Sequence, residues 1–139
     1  MKDCIFCKIA RGEIPSVKIF EDDMVLAFMD ISPITKGHVL IVPKVHHSSV
    51  ATVPEEVAGR MMKIGSRIGV ACKRALDVDG FNFHLSDGKC AGQVIFHAHL
   101  HVVPRHPEDG FHWNWRQLKY ASDQEKFDIC EKIKEKLKE

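Results

Sequence analysis

Short apolar runs separated by polar turn residues dominate the first third of the chain. Residues 17–20 and 24–28 are two such runs, and Glu21-Asp22-Asp23 lies between them. Apolar runs on both sides of a turn-prone tripeptide predict a β-hairpin. A third run, residues 38–42, precedes Pro43. It predicts a strand that the proline ends, because proline has no N–H to donate to a neighbouring strand.

Apolar residues recur at helical spacing in two later segments. Thr52, with Glu55 three residues on, predicts the capped start of a long helix, which Asp79-Gly80 should end. Ser122, with Glu125, predicts a second capped start near the C-terminus. The apolar stripes of the two predicted helices are Val57, Met61, Ile64, Ile68, Cys72 and Ala75, and Phe127, Cys130, Ile133 and Leu137.

The segment between these helices indicates strands and turns. Residues 81–85 alternate in polarity, Asp87-Gly88 and Gly92 form a turn-rich loop, and residues 94–103 predict the last strand. Strands outnumber helices, and short turns join most of them. We therefore predict an α+β fold with a mainly antiparallel sheet, in one domain that covers residues 1–139.

The composition is that of an ordinary globular protein. The 139 residues are 45% apolar and 28% charged, with a formal net charge of +1 and no long basic run. These values give no reason to expect a nucleic acid or a membrane surface as partner, whereas a small phosphorylated ligand needs only a few local donors. Five cysteines, an odd number, argue against a disulfide scaffold. Without a signal-peptide or membrane-spanning pattern, the expected location is cytoplasmic.

Three histidines alternate with apolar residues late in the chain. His97, His99 and His101 occupy positions i, i+2 and i+4, so in a strand they share one face, roughly 6.5–7 Å apart along the backbone. One imidazole is then close enough to attack a phosphorus while its neighbour contacts the leaving group. A His-x-His pair on a strand can instead hold a zinc ion that activates water. A histidine-rich exposed strand without a role is the third interpretation, and the pattern alone leaves the first two nearly level.

Several spaced motifs carry a resemblance to a known family. The run His97-Ala98-His99-Leu100-His101-Val102-Val103 matches the His-φ-His-φ-His-φ-φ signature of the histidine triad (HIT) superfamily, where φ is apolar. Other similar segments are Cys4–Ile9, Gly12–Pro15, Phe28–Pro33, Gly37–Lys44 and Gly92-Gln93. The resemblance covers residues 4–105 and is strongest to Hint-type and bacterial or archaeal Hit-like proteins. Residues 106–139 are then a C-terminal extension of the HIT core.

The resemblance implies a fold and an assembly. The HIT-like fold is a mainly antiparallel five-stranded sheet with one long helix and a C-terminal helix. Two copies form a homodimer in which the sheets make one continuous surface. Trp113 and Trp115, in the extension, either seal that dimer or help to select the leaving group, and we favour the dimer because aromatic residues are common interface anchors.

The resemblance also implies an activity. The family binds purine nucleotides and attacks the α-phosphorus, with His99 here as the nucleophile of a covalent nucleotidyl-histidine intermediate that water resolves. His101 would assist the leaving group, and His97 and His38 would support the cluster. The expected enzyme is a hydrolase of nucleotide phosphoramidates or dinucleoside polyphosphates. His101 favours a hydrolase over the related transferases, whose third position is typically Gln.

The matching nucleotide-binding positions divide into three groups. Apolar residues around the base could equally be core packing, and Asp30, placed at the ribose, could be a turn former. Val94, where many relatives carry a hydroxyl, and Ser86, where Asn is common, depart from the pattern and keep open an alternative function as a nucleotide-binding regulatory protein with little turnover. The expected contacts are Ile5, Phe6, Ile9, Phe28 and Ile31 around the base, Asp30 at the ribose, and Ser86, Gln93, Val94, His99 and His101 toward the phosphate, with backbone N–H groups of Gly92-Gln93 also available.

A zinc site is implied by the same resemblance. The Cys4-x-x-Cys7 pair is weak evidence alone, because such pairs are also redox-active or incidental. In many Hit-like relatives it joins two histidines, which correspond here to His46 and His97. Two thiolates and two imidazoles form a closed, structural shell, which disfavours zinc-hydroxide hydrolysis. His47 is a fallback ligand, and no motif supports His84, His106 or His112, which are expected to be structural or surface residues.

Overall fold

Five strands form a single antiparallel sheet in the computed structural model, which describes residues 3–138. The strand order is β1-β2-β3-β5-β4, and every neighbouring pair is antiparallel. The strands are β1 (Lys18–Glu21), β2 (Val25–Met29), β3 (Val39–Pro43), β4 (Gly80–His84) and β5 (Leu100–Arg105). The helices are α1 (Ile5–Ala10), α2 (Glu55–Ala75) and α3 (Asp123–Leu137). The predicted α+β class and antiparallel sheet are confirmed.

The sheet buries a different apolar cluster on each face. In β2, Val25 and Ala27 belong to the cluster that packs under α2, while Leu26 and Phe28 belong to the cluster that contains Phe6 of α1. Alternate residues of a strand point to opposite faces, so one continuous apolar run supplies both clusters. The central strands are therefore covered on both sides, and α1 closes the face on which the histidines are expected.

Small residues bring α2 close to the sheet. A Cβ atom added to Gly69 would lie 2.6 Å from ring carbons of Phe81, and one added to Gly65 would lie 3.2 Å from Leu100 Cδ2. Both glycines thus act as contact points at which a larger side chain would push the helix outward. This packing fixes β5, because Leu100 and Ala98 lie in the cluster beneath α2.

Two predicted helix boundaries differ from the structure, and one helix was not predicted. Thr52 does not cap α2: it lies in a 3₁₀ turn, Val50–Thr52, and the residue before α2 is Pro54, which offers no side-chain cap. The helix ends at Ala75 rather than at Asp79-Gly80, since Asp77 already has a left-handed φ of 51°. Helix α1 was not predicted, because six residues are too few to show a helical period.

The last strand is also shorter at its start than predicted. The pattern predicts residues 94–103, whereas β5 runs from Leu100 to Arg105. In register with β3, Ala98 would pair with Pro43, which has no N–H; the Ala98 N–H instead donates to His47 O at 2.7 Å. His97 and His99 therefore lie just before the strand and not within it.

Helix α3 has the predicted cap, and its apolar stripe is not buried. Ser122 Oγ accepts a hydrogen bond from the Glu125 N–H at 3.0 Å, and Glu125 Oε2 accepts one from the Ala121 N–H at 2.5 Å. Yet no residue of α3 that the structure describes is buried. The expected stripe is exposed, and Leu137 retains 79% of its accessible surface. No helix in the described part of the chain is both long and apolar enough to cross a membrane.

Candidate active site and metal centre

A cavity of about 530 Å³ lies between α1, the end of β2 and the segment that leads into β5. Of the eleven residues predicted to contact a nucleotide, nine line it: Ile5, Phe6, Ile9, Phe28, Asp30, Ile31, Val94, His99 and His101. The ring of Phe6 contacts the rings of Phe28 and His99, with centroids 5.6 and 5.1 Å away. Ile31 and Val94 are largely exposed, which places them at the mouth. The cavity thus has an apolar inner wall and a histidine end.

Ser86 and Gln93 are the two predicted contacts that do not line the cavity. Gln93 Oε1 accepts from the Gly88 N–H at 2.8 Å, and its Nε2 donates to Ser48 O and Ile95 O. Ser86 Oγ lies 2.9 Å from His84 Nε2. Both side chains are engaged within the protein, where Gln93 holds together the loop that precedes the histidines.

The backbone N–H groups expected to receive phosphate oxygens are engaged as well. The Gly92 N–H donates to Lys89 O at 3.0 Å, and the Gln93 N–H donates to Gly88 O at 3.2 Å. The first bond closes the 3₁₀ turn Lys89–Ala91, and the second joins the residues on either side of that turn. In this loop conformation neither N–H is a free donor, and of the two residues Gly92 lines the cavity.

His99 is held in one tautomer by its own backbone neighbour. Its Nδ1 lies 2.7 Å from the carbonyl oxygen of His97, an acceptor that requires a proton on Nδ1. The lone pair is consequently on Nε2. Burial lowers the pKa of His99, so the ring is neutral at neutral pH. A neutral imidazole with a free nitrogen in a cavity is a competent nucleophile.

His38 and His101 form a directed hydrogen-bond chain. The Ile34 N–H donates to His38 Nδ1 at 3.0 Å, which leaves the His38 proton on Nε2. That Nε2 lies 2.8 Å from His101 Nδ1, so His101 accepts there and carries its own proton on Nε2. Burial lowers the pKa of His101 to about 4 and also lowers that of His38, so both rings are neutral. His101 is therefore a hydrogen-bond donor without being an imidazolium.

The predicted zinc ligands form a tight group. Cys4 Sγ and Cys7 Sγ lie 3.4 and 3.5 Å from His97 Nδ1, and Cys7 Sγ lies 3.3 Å from His46 Nδ1. All four ligand atoms are within 4.8 Å of one another. A tetrahedral ion with Zn–S of ~2.3 Å and Zn–N of ~2.1 Å separates sulfur from nitrogen by about 3.6 Å. The group is therefore compatible with zinc.

The orientation of His97 agrees with this geometry. Its Nε2 lies 2.7 Å from Pro43 O and donates there, so the lone pair is on Nδ1, toward the two sulfurs. The side chain is fully buried, and burial lowers its pKa to about 4, which keeps that lone pair available. His47 is not part of the group: its Nδ1 lies 3.2 Å from Thr52 Oγ1.

His84 of β4 and Trp113 of the C-terminal extension form a pair of rings next to His101 that the sequence motifs did not assign. The ring of His84 stacks on that of Trp113, with centroids 5.0 Å apart, and also contacts the ring of His101 at 5.5 Å. Trp113 Nε1 donates to Asn82 Oδ1, which anchors the extension on β4. His84 lies opposite His101 in the β4–β5 pair. The alternating polarity of residues 81–85 is the one sequence signal that indicates which face of the strand His84 occupies.

The fold and the site together define an antiparallel α+β protein with paired histidines in an apolar cleft beside a Cys₂His₂ group. A model of the HIT domain matches residues 11–108. An uncharacterized HIT-like protein of Borreliella burgdorferi is 46% identical over 113 residues, which cover 80% of this chain and 81% of that protein. The chain belongs to the HIT family.

Several proteins with a stated activity or ligand are also similar to this chain in sequence. The adenylylsulfatase HINT3 of Arabidopsis thaliana is 44% identical over 107 residues, which are 77% of this chain but 54% of that longer protein. A zinc-bound histidine triad protein of Mycobacterium smegmatis is 37% identical, with a TM-score of 0.76 and coverage of 90% and 89% of the two chains. A histidine triad nucleotide-binding protein of Candida albicans is 32% identical, with a TM-score of 0.86 and coverage of 97% of both chains. The family thus includes a hydrolase, a zinc protein and a nucleotide-binding protein.

Proposed function

We propose that the protein is a nucleotidyl hydrolase that cleaves purine nucleotide phosphoramidates or dinucleoside polyphosphates at the α-phosphate. The observation that carries this proposal is the 2.7 Å contact between His99 Nδ1 and His97 O, which leaves Nε2 unprotonated in the cavity. This nitrogen forms a bond to the α-phosphorus while the bond to the leaving group breaks. Water then attacks the nucleotidyl-histidine, releases the nucleoside monophosphate and restores the neutral ring.

The apolar wall of the cavity suits the nucleoside. Phe6, Ile9 and Phe28 are buried and line the cavity, where they could enclose a planar base. Asp30, at the same cavity, would accept hydrogen bonds from the ribose hydroxyls; its Oδ1 already accepts from the Ser32 N–H at 2.8 Å. That bond orients the carboxylate. Asp30 is thus both a turn residue and a candidate ligand, and the two interpretations do not compete.

His101 would serve the leaving group. Its proton is on Nε2, because Nδ1 accepts from His38. This N–H donates a hydrogen bond that stabilises the negative charge developing on the departing atom. His101 can also transfer the Nε2 proton to that atom as a general acid. His38 acts through His101 as a positioning residue, and Asp30 Oδ2, 3.6 Å from His38 Nε2, stabilises positive charge on the pair.

A zinc ion held by Cys4, Cys7, His46 and His97 would be structural. Four protein donors leave no open coordination position, so the ion would supply a cross-link between α1, the loop after β3 and the segment before β5. His97 is two residues from His99 and provides the carbonyl that fixes its tautomer. A clamp on His97 therefore holds the nucleophile in place without taking part in the chemistry.

We further propose that the chain is a single domain and forms a homodimer in the cytoplasm. Its ligand is a purine nucleotide, and neither nucleic acid nor a membrane is a partner. A continuous sheet across two copies needs an edge strand, and the two edges are β1 and β4. The register of β1 shifts between Lys18 and Phe20, an irregularity that discourages pairing, whereas β4 is regular. The exposed stripe of α3 offers further apolar surface for the same assembly.

Hydrolysis of adenosine 5′-phosphoramidate by the purified protein tests the function. We expect turnover that His99→Ala abolishes and that His106→Ala, a change at an exposed histidine, leaves intact. Binding of the substrate without turnover in the wild type would instead support a regulatory nucleotide-binding protein. Two features would then account for the missing turnover: Val94 is exposed and has no hydroxyl, and the side-chain amide of Gln93 is hydrogen-bonded within the protein.

A further inference from the structure

A fourth histidine ring lies beside the histidines of the cavity. His84 is the last residue of β4 and lies opposite His101 of β5, and the centroids of the two rings are 5.5 Å apart. A positive charge on His84 contributes to the lowered pKa values of His38, His99 and His101, for which burial is the largest cause. The proposed reaction so far gives His84 no role.

Two contacts hold the His84 ring in place. One is the stack on the indole of Trp113, with centroids 5.0 Å apart and ring planes at 21°. The other is at the ring edge, where Nε2 lies 2.9 Å from Ser86 Oγ. A hydroxyl can donate or accept, so this contact leaves His84 Nδ1 able to carry a proton and donate it to a ligand.

The unpaired nitrogens of His84 and His101 are both accessible. Within residues 3–138, Ser16 Oγ is the one buried side-chain nitrogen or oxygen that lacks a hydrogen bond. Neither His84 Nδ1 nor His101 Nε2 has a hydrogen-bond partner in that range, so neither atom is buried. A bound molecule can therefore reach both nitrogens.

The pair formed by His84 and Ser86 borders the histidine end of the cavity. His84 contacts His101, and His101 lines the cavity. Ser86 Oγ lies 3.8 Å from the point that a Cβ atom on Gly92 would occupy, and Gly92 lines the cavity as well. The pair thus lies beside two lining residues, one of which is the histidine expected to serve the leaving group.

The cavity has few donors for a leaving group that carries phosphates. No lysine or arginine is among the described residues that line it, so its side-chain nitrogen donors are His99 and His101. A phosphoramidate releases an amine, which needs one proton. A dinucleoside polyphosphate releases a nucleotide whose nearest phosphate is negatively charged, and N–H groups stabilise such an anion by charge-assisted hydrogen bonds.

We propose that His84 Nδ1 donates a hydrogen bond to the phosphate next to the α-phosphate, so that His84 selects for substrates whose leaving group is a phosphate chain. This inference rests on the proposed nucleotidyl hydrolase function. Of the two substrate classes proposed for the cavity, it favours dinucleoside polyphosphates over phosphoramidates. His84 acts on the leaving-group side, so binding of the nucleoside and of the α-phosphate does not depend on it.

Calorimetric binding of AMP and α,β-methylene-ADP tests the proposal without relying on turnover. The second ligand adds one phosphate, through a methylene bridge that hydrolysis does not cleave, and wild type should bind it more tightly than AMP. His84→Phe keeps a ring that can stack on Trp113 but has no N–H. It should bind α,β-methylene-ADP about tenfold more weakly than wild type, the effect of one hydrogen bond to a charged group, and AMP within about twofold. The control His106→Phe, the same change at an exposed histidine, should leave both affinities unchanged.

Steady-state hydrolysis tests the selectivity itself. In His84→Phe, kcat/KM for diadenosine tetraphosphate should fall about tenfold, while kcat/KM for adenosine 5′-phosphoramidate should stay within about twofold of wild type. His84→Gln, whose amide retains an N–H donor, should recover part of the loss.

Four outcomes would overturn the inference. An undiminished advantage of α,β-methylene-ADP over AMP in His84→Phe would remove His84 from the phosphate. An equal loss for both ligands, or for both substrates, would show that the ring supports the site as a whole. A wild type that binds AMP but gains nothing from the second phosphate would exclude the subsite, and one that hydrolyses only the phosphoramidate would contradict the preference. Failure of the wild type to bind either nucleotide would overturn the proposed function as well.

Discussion

His38 Nε2 lies 2.8 Å from His101 Nδ1, and the Ile34 N–H holds the other nitrogen of His38. These two hydrogen bonds fix the proton of His101 on Nε2. The orientation does not depend on an ionised group, because both rings have lowered pKa values and are neutral. The segment that leads into β3 thus sets the protonation pattern of His101 in β5, the residue expected to assist the leaving group.

Replacing His38 should impair chemistry more than binding. His38→Ala removes the donor to His101 Nδ1 and lets that ring adopt the other tautomer, so kcat for a nucleotide phosphoramidate should fall about 10- to 100-fold, part of what general acid catalysis contributes. KM should change little, because His38 does not line the cavity. Steady-state kinetics measures both values, with His106→Ala as control. A rise in KM at constant kcat would contradict the positioning role.

Removing a zinc ligand should cost both metal and stability. Wild-type protein should contain about one zinc ion per chain, and Cys4→Ser should retain little of it and unfold several degrees lower, because the clamp on α1 is lost. Cys90→Ser, a change at an exposed cysteine outside the Cys/His group, should match wild type. Elemental analysis and thermal unfolding measure the two effects. Zinc retained at full occupancy in Cys4→Ser would refute the assigned ligand set.

The buried histidines should make the protein acid-sensitive. Unfolded histidine takes up a proton near pH 6.5, whereas His101 has a pKa of about 4 when folded, so between these values the unfolded chain binds more protons. The free energy of unfolding therefore falls as the pH falls below about 6.5, by up to ~1.4 kcal/mol per pH unit for each such group. Denaturant unfolding at equal zinc content should show a shallower slope for His101→Gln than for wild type. Parallel curves for the two proteins would contradict the assigned pKa.

The exposed stripe of α3 should be covered in the assembled protein. Phe127 and Ile133 remain 58% and 57% exposed in the single chain, and contiguous apolar surface of this kind marks interaction sites. Ile133→Glu should shift the protein from dimer to monomer in light scattering at micromolar concentration. Glu135→Lys, on the polar face of the same helix, should not. A wild type that is monomeric under these conditions would rule out the homodimer.

The sequence predicted the elements whose pattern is regular and long. Alternation placed His99 and His101 on one side of the chain with Ala98 and Leu100 on the other, and the structure has Ala98 and Leu100 under α2 while the ring of His99 contacts Phe6. The family motifs supplied the members of the Cys/His group, which the fold then brings together. Both results depend on local periodicity or on motif spacing.

Other features depend on tertiary contacts that no local pattern contains. Helix α1 is too short to show a period, and the start of β5 depends on which residue of β3 lies opposite. The engagement of Gln93 with Ser48 O joins residues 45 positions apart. The stacking of His84 on Trp113 is visible only once β4 and the C-terminal extension are in place. Propensity and motif spacing cannot supply such facts.

Trapping the covalent intermediate tests the central claim most directly. The protein is mixed with a nucleotide phosphoramidate, quenched within one turnover and measured as an intact protein by mass spectrometry, followed by peptide mapping. We predict a mass increase of one nucleotidyl group on the peptide that contains His99, absent from His99→Ala and present in His101→Ala. Turnover by the wild type with no adduct at any quench time, or an adduct that persists in His99→Ala, would contradict the account.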